Sequence, residues 1–459
     1  MKNNNIFISV YITNRNYGRF LEKAIKSYLN QTFQEKELII IDDASTDNSR
    51  KIIEKYENKK ICRVIYNNTN QGLIKSSNIA IKAAKGKYVL RLDADDYLDS
   101  NALTIFYQEI NRDPNIALVY SDYYVVDIKN NVQSFQKQML RNEILHNHEP
   151  VLAACCLIKK NALFSVNLYD ERFNRQDGYD IWFKLIKNFK IKHVSLPLFF
   201  YRRHNFNLTN NKNKLYKTRT KILRKFSKQK RKIKDLLIDC VIPVRGPSID
   251  LSCRSLNLLN KKPMIFYTID EALKVKDFNK VILTTSDKKL IKIVKKKYGR
   301  KIYYHLRDKK LSMLNLDFRY SILEAVNKFN KVKSIDIVAI LTLENPFRAK
   351  FYIEQAISKL IIHKSDLVIG TSPDIDNNYY KYCSRGIKII NSYKNNLLRL
   401  EKNIILKDVG AFSIYNYNSY KNNTINNITN VIFDKKDSFL IHDNLDQKIA
   451  SFINSDTTE

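Results

Sequence analysis

Three carboxylates fall within four residues at Asp93-Ala94-Asp95-Asp96, directly after the run Lys87-Tyr88-Val89-Leu90-Arg91-Leu92. Carboxylates crowded at the end of a strand repel one another, and a hard divalent cation with oxygen ligands, Mg²⁺ or Mn²⁺, relieves that repulsion. A cation held there can grip a diphosphate. The plainer alternative is an Asp-rich turn that caps a helix. A second acidic pair, Asp42-Asp43, ends another apolar run, Glu37-Leu38-Ile39-Ile40-Ile41.

The elements around these clusters alternate. Ile6 to Ile12 reads as a buried strand, followed by a helix from about Arg19 on which Leu21, Ala24, Ile25, Tyr28 and Leu29 recur at helical spacing. The strand ending at Asp42 comes next. Ser45 and Asp47 offer cap chemistry for a helix over about 48–56, before a strand near Cys62 to Tyr66, a helix near Gly72 to Ala84 and the strand that delivers Asp93. Such β-α-β-α-β-α-β alternation predicts a mostly parallel sheet with ligands beyond the carboxyl ends of its strands, where both acidic clusters lie.

At 459 residues the chain is too long for one ordinary core, and two or three domains are expected. No run approaches the roughly 18 apolar residues needed to cross a bilayer, and Met1-Lys2-Asn3-Asn4-Asn5 leads straight into a strand rather than a signal peptide, so a cytoplasmic protein is expected. Six scattered cysteines without CxxC spacing fit reduced thiols and argue against a disulfide framework or a zinc site. The net charge of +34 favours polyanions or the anionic inner leaflet of a membrane. The abundance of Lys, Asn and Ile throughout, as in an A+T-biased genome, gives that charge a second origin. Between Asn211 and Lys234 about one residue in two is basic and none is acidic, which resists burial and reads as a linker or an exposed basic helix. After it the α/β pattern restarts, with strands at Leu236 to Val244, Val281 to Thr285 and Ile335 to Leu341 and helices over about 264–274 and 288–297.

Together, Ser9-Val10-Tyr11-Ile12-Thr13-Asn14-Arg15-Asn16, Ser27-Tyr28-Leu29-Asn30-Gln31-Thr32-Phe33, Asp42-Asp43-Ala44-Ser45-Thr46-Asp47, Asn70-Gln71-Gly72, Asn78 and the Asp93 cluster resemble family 2 glycosyltransferases of the GT-A fold, over residues 5 to about 210. The resemblance implies transfer of a sugar from a nucleotide-diphosphate donor to a hydroxyl acceptor, with inversion and with Mn²⁺ or Mg²⁺. It places Thr13, Asn14, Asp42, Asp43 and Asp93 at the donor nucleotide. The second-strand aspartates would meet the base, where a carboxylate accepts from a pyrimidine N–H; their alternative role is to cap the next helix. Asp95 is implied as a metal ligand, Asp93 at the ribose or in support of the metal, and Asp96 at the sugar or behind the metal.

Arg175-Gln176-Asp177-Gly178-Tyr179-Asp180-Ile181-Trp182-Phe183-Lys184 resembles the family's acidic segment that carries the catalytic base, with Asp177 and Asp180 as candidates. Inverting transfer needs a carboxylate near the acceptor hydroxyl, opposite the leaving group. Asp177 is preferred, because Asp180 precedes Lys184 by four residues on an expected helix, a pairing that suits a structural role. The family often has two adjacent acids here, and Gly178 stands in one of those places. Tyr201-Arg202-Arg203-His204 resembles the closing motif whose histidine approaches the metal or diphosphate, which makes His204 the second metal-site candidate.

Cys240-Val241-Ile242-Pro243-Val244-Arg245-Gly246-Pro247-Ser248 resembles the opening of the acylneuraminate cytidylyltransferases, which make CMP-activated nonulosonic acids from CTP. The likeness continues through Asn260 to Ile269, Thr284-Thr285-Ser286-Asp287, Asn345-Pro346-Phe347-Arg348, Asp366 to Gly370 and Gly410-Ala411-Phe412. It implies a second nucleotide site at Arg245, Gly246, Ser248, Arg254 and Arg348, with backbone amides and guanidinium against a triphosphate. Three departures weigh against turnover there. The family's lysine after the loop serine is Ile249, its Lys-Asn pair is Arg254-Ser255, and its pair of metal-binding aspartates falls on Leu440-Ile441-His442 with Asp443 and Asp446 only nearby.

The expected fold class is α/β with two Rossmann-like nucleotide-binding domains: a GT-A domain over 1–210, a basic linker over 211–235, and a nucleotidyltransferase-like α/β domain over 236–459. The expected partners are a nucleotide-sugar donor, a glycan, lipid-linked or protein acceptor in surface-polysaccharide or glycoconjugate synthesis, CTP at the second domain, and the inner face of a membrane through the basic segment. A bifunctional enzyme that also makes CMP-activated sugar acid stands as one alternative. A scaffold of two nucleotide folds without catalysis, or a basic nucleic-acid-binding protein, are the others. No nucleic acid is expected, because acidic clusters in a groove repel phosphate unless a metal intervenes.

Overall fold

A computed structural model describes residues 6–138, 154–230, 236–245, 254–308, 317–374, 380–383, 386–389 and 405–455. The chain divides into two compact units, Met1–Ile222 and Leu223–Glu459.

In the first unit β1 (Ile8–Asn14), α1 (Gly18–Leu29), β2 (Lys36–Asp42), α2 (Ser49–Glu57), β3 (Arg63–Tyr66), α3 (Leu73–Ala83) and β4 (Tyr88–Asp93) alternate as the sequence predicts. The four strands lie side by side in the order β3-β2-β1-β4, all parallel, with Asn14 level with Asp42 and Thr13 level with Asp93. Ile8, Val10, Tyr11 and Ile12 are all buried, so β1 is covered on both faces, as a central parallel strand with helices above and below must be. Ile8, Val10 and Ile12 join Leu21 and Ile25 of α1, Leu38 and Ile40 of β2, and Leu90 and Leu92 of β4 in one core. Each such side chain contributes roughly 1.5–3 kcal/mol by leaving water.

Past β4 the sheet becomes mixed. β5 (Tyr97–Leu98), β6 (Ile116–Val126), β7 (Val132–Gln136), β8 (Leu157–Lys159) and β9 (Lys190–Arg202) extend it in the order β4-β8-β6-β9-β5, with β7 paired to β6. The pairs β4 with β8, β8 with β6 and β5 with β9 are antiparallel. The mostly parallel expectation therefore holds for β3-β2-β1-β4, which include the two strands that carry the acidic clusters, and for β6 with β9, while the pairs between and beyond them are antiparallel. β5 follows the Asp93 to Asp96 turn immediately and returns Arg202, at the end of β9, to that turn's side.

The basic segment forms the helix Lys212–Lys230. It is not an exposed rod, because Arg219, Thr220, Ile222, Leu223, Phe226 and Ser227 are buried. Ile222, Leu223 and Phe226 give it an apolar stripe that its charge count conceals.

The second unit repeats the plan. β10 (Ile238–Pro243), the short β11 (Leu258–Leu259) and β12 (Lys262–Pro263), β13 (Lys280–Thr285), β14 (Tyr303–Leu306), β15 (Ile337–Leu341), β16 (Leu367–Asp374), β17 (Tyr380–Cys383), β18 (Gly386–Ile389), β19 (Ile405–Asn416) and β20 (Ile428–Ile432) occur in chain order. The main sheet runs β14-β13-β10-β15-β19-β16-β20, and β14-β13-β10-β15 are parallel. Among the described residues no helix is long and apolar enough to cross a membrane.

Candidate active site

A cavity of about 480 Å³ opens beyond the carboxyl ends of β1 and β4. Thr13, Asn14, Asp43, Asp93, Asp95 and Asp177 all line it, so side chains distant in sequence meet at one place.

Asp43 is 4% exposed and organises the loop before α3. Its Oδ1 accepts from Asn67 Nδ2 and the Gln71 amide, both at 2.8 Å, and its Oδ2 accepts from the Gly72 amide at 2.8 Å. An ionised carboxylate has about four acceptor positions, so roughly one is left for a ligand. Asp42 differs from expectation. It is fully buried, lies off the cavity, and accepts from Asn14 Nδ2 at 3.2 Å, the Ser45 amide at 3.3 Å and Arg50 Nε at 3.2 Å. It therefore orients Asn14, whose own buried Oδ1 has no hydrogen-bond partner among the described residues and is left as an acceptor at the cavity wall. Ser45 turns back to Asn14 and to the Asn16 amide, while Asp47 accepts from the Ser49 amide at the start of α2.

Asp93 and Asp177 are joined by a residue that the motifs did not single out. Arg91, 5% exposed in mid-strand, reaches Asp93 Oδ1 with Nε at 2.9 Å and pairs through Nη1 with Asp177 Oδ2. The signal was present, because a charged residue inside the apolar run of β4 requires a buried counter-charge. Burial pushes the Asp93 carboxyl up to about 6, opposed by the Arg91 guanidinium and reinforced by Asp95. Asp96 is 1% exposed, off the cavity, and raised well above the usual carboxylate range by burial and by Asp95 and Asp93. Its Oδ1 accepts from the Arg202 amide at 2.9 Å, so it anchors the turn.

Asp95 Oδ2 lies 2.9 Å from His204 Nε2. The Phe206 amide donates to His204 Nδ1 at 3.2 Å, which assigns the ring proton to Nε2 and makes the histidine the donor to Asp95. The ring is stacked on Phe20, with centroids 5.1 Å apart, and its side chain is nearly fully buried. His204 thus holds Asp95 in place; direct ligation would move its proton to Nδ1 and displace the Phe206 amide. Among the described residues no three His, Cys, Asp or Glu side chains cluster to hold a metal by themselves. A divalent cation in the cavity would be held from the protein side by Asp95, with Asp93 near it, and such all-oxygen donors fit a hard ion such as Mn²⁺ or Mg²⁺.

The helix Asp177–Leu185 begins at the cavity and separates the two base candidates. Asp177 opens the helix and lines the cavity, whereas Asp180 is 1% exposed, off the cavity and paired with Lys184 at 2.9 Å. The geometry thus separates the two candidates, with Asp177 at the cavity and Asp180 in an ion pair away from it. Asn78, part of the quoted motifs, binds the backbone of Tyr169 through both ends of its amide and reaches Glu171, fixing the segment that leads to Asp177. Arg15 and Arg175 also line the cavity and add cations that sequence reasoning left unassigned.

In the second unit Arg245 is exposed just past β10. Gly246 and Ser248, and the side chain of Arg254, lie outside the described residues. Arg348 is 1% exposed and its Nη1 donates to the carbonyls of Ala411 and Thr342, which commits that nitrogen to the backbone. Burial lowers its pKa to about 10. Ile441 is a core residue, 1% exposed, and Asp443 Oδ1 accepts from the Asp446 amide at the start of the helix Asn444–Ser455.

The model for Glycosyl transferase family 2 matches residues 9–173, and the Cytidylyltransferase model matches residues 240–404. The uncharacterized glycosyltransferase MJ1057 of Methanocaldococcus jannaschii is 30% identical over 212 residues, covering 43% of this chain and 72% of that protein. The chondroitin synthase of Pasteurella multocida is 29% identical over 196 residues, covering 41% of this chain and 20% of the synthase. S. aureus TarS 1-349 is 21% identical, covers 48% of this chain and 64% of its own, and superposes with a TM-score of 0.40. The chain belongs to glycosyl transferase family 2, and its second unit carries a cytidylyltransferase-type domain. It spans about a fifth to just over a quarter of the length of three synthases that it matches.

Proposed function

We propose that the first unit transfers a sugar from a nucleotide-diphosphate donor to a hydroxyl acceptor, with inversion, in the assembly of a surface polysaccharide or glycoconjugate. The observation that carries this reading is the convergence of Asp43, Asp93, Asp95 and Asp177 on one cavity. Asn14 Oδ1 and the spare acceptor position of Asp43 face the nucleoside, consistent with recognition of a base or ribose by its N–H and O–H groups. Asp95, oriented by His204 and supported by Asp93, would hold Mn²⁺ or Mg²⁺, which when bound neutralises charge on the departing diphosphate. Arg15 and Arg175 are placed to add to that neutralisation. Asp177, held through Oδ2 by Arg91, accepts the acceptor hydroxyl's proton through its other oxygen as that hydroxyl attacks the anomeric carbon and the bond to diphosphate breaks.

The basic helix fits contact with anionic lipid at the inner face of a membrane, where a lipid-linked acceptor would reside. In the second unit the burial of Arg348 and the helix-start role of Asp443 favour a nucleotide-fold domain without cytidylyl transfer.

The test is a panel of UDP-, GDP-, dTDP- and CMP-sugars with Mn²⁺ on the intact chain, read as release of nucleoside diphosphate from the first three and of CMP from the last. Asp95→Ala and Asp177→Asn are expected to abolish release with the accepted donor, while Arg245→Ala in the other unit leaves it nearly unchanged. Loss in Arg245→Ala alone would place the activity in the second unit and contradict the proposal.

A further inference from the structure

A second concavity of the first unit, about 780 Å³, is bordered by α1, β5 and the turn carrying Ile128 and Asn130. α1 presents Arg19, Lys23 and Lys26 to it, spaced four and three residues apart and so on one helical face. Lys26 is paired with Glu22 at 3.2 Å. Arg19 and Lys23 have no carboxylate partner among the described residues; Arg19 lies over the Phe20 ring at 4.3 Å and Lys23 over the Tyr97 ring at 4.0 Å.

The wall between this groove and the cavity turn is Arg202, 2% exposed. Its Nε donates to the Asp95 carbonyl at 2.8 Å and its Nη1 to Asn130 Oδ1 at 2.7 Å, while Nη2 makes no hydrogen bond among the described residues. That nitrogen keeps access to solvent where Arg202 lines the groove, and is free to donate to a ligand there. Partial burial and the neighbouring Arg202 charge also lower the Lys23 ammonium pKa, as expected where cations gather without an anion between them.

We propose that this groove binds a phosphate group, with its oxygens shared among Arg202 Nη2, Lys23 and Arg19. A carboxylate offers two oxygens and one charge, whereas a phosphate offers oxygens in several directions and up to two charges, which suits three cations better. The site is distinct from the donor cavity, and the group is either a lipid headgroup or a soluble phosphate.

The intact chain is titrated in EDTA, where the acidic cavity repels phosphate, with inorganic phosphate followed by ³¹P line broadening. Co-sedimentation with phosphatidylcholine vesicles, with and without phosphatidic acid, forms the second arm. Arg19→Gln/Lys23→Gln is compared with Lys82→Gln/Lys85→Gln, which removes equal charge from exposed positions at the end of α3, away from both the groove and the basic helix. The groove pair is expected to weaken binding at least about tenfold and the control pair less than about twofold, with unchanged melting temperatures. A groove-specific loss with free phosphate shows that soluble phosphate suffices; one seen with vesicles alone assigns the headgroup. Equal losses in both pairs, or none in either arm, overturn the proposal.

Discussion

Asp177 and Asp180 sit one helical turn apart and face different surroundings, and their substitutions should separate accordingly. Asp177→Asn is expected to lower kcat by about 10²–10⁴ while donor affinity is kept, because it removes a proton acceptor and not a nucleotide contact. Asp180→Asn leaves Lys184, a largely buried cation, without its charge partner, and should appear as a lower melting temperature, about 3–5 kcal/mol of stability, rather than as a change in chemistry. Single-turnover kinetics and thermal melts on both variants decide between these assignments. The hydrogen bonds of His204 make a further distinction. His204→Gln keeps a donor toward Asp95 and should retain most metal affinity, whereas His204→Ala should lose about 10–100-fold. Equal loss in both would favour direct ligation by the imidazole.

Alternating strands and helices were readable because each strand of the parallel set is a short run ended by Asp or Asn, and each helix keeps its 3.6 period. The positions of Asp43, Asp93 and Asp95 beyond the strand ends followed from strand order, whereas Asp177 was reached only through the resemblance of its segment. What was hidden depends on pairing across the sheet. The division of labour between Asp42, which holds Asn14, and Asp43, which lines the cavity, turns on which direction each side chain takes at a strand end. The link from Arg91 to Asp177 spans residues far apart in sequence, and the buried stripe of the basic helix was masked by its lysines. Gly72 shows how such a detail supports the site. It adopts φ +83° and ψ 161°, a region essentially open to glycine alone, while its amide binds Asp43. A Cβ there would meet nothing within 4 Å, so the cost of Gly72→Ala is backbone strain. That variant should lose about 1–3 kcal/mol of stability and weaken nucleotide binding, as read by melting and by titration calorimetry.

Two nucleotide folds in one chain share a strand plan but not a set of polar groups. In the second unit the family-like loop contributes an exposed Arg245, whereas Arg348 is committed to backbone carbonyls. His305 in that unit is buried beside Thr284 Oγ1 at 2.9 Å, with Glu324 3.7 Å away, and burial with Lys328 and Arg307 lowers its pKa from 6.5 to about 4. The unfolded chain takes up that proton near 6.5 and the folded one only near 4, so its contribution to stability is present above about pH 6.5 and is lost as pH falls toward 4. Melting temperature should decline over that window, and the decline should be shallower in His305→Gln. The central claim concerns the first unit, that Asp95 anchors a cation that grips the donor's diphosphate. Calorimetric titration of the intact chain with the nucleoside diphosphate of the accepted donor, with Mn²⁺ and with EDTA, tests it directly. The account predicts that Mn²⁺ tightens binding at least about a hundredfold and that Asp95→Ala removes the tightening. Equal affinity with and without the ion, or tightening that survives Asp95→Ala, would contradict it.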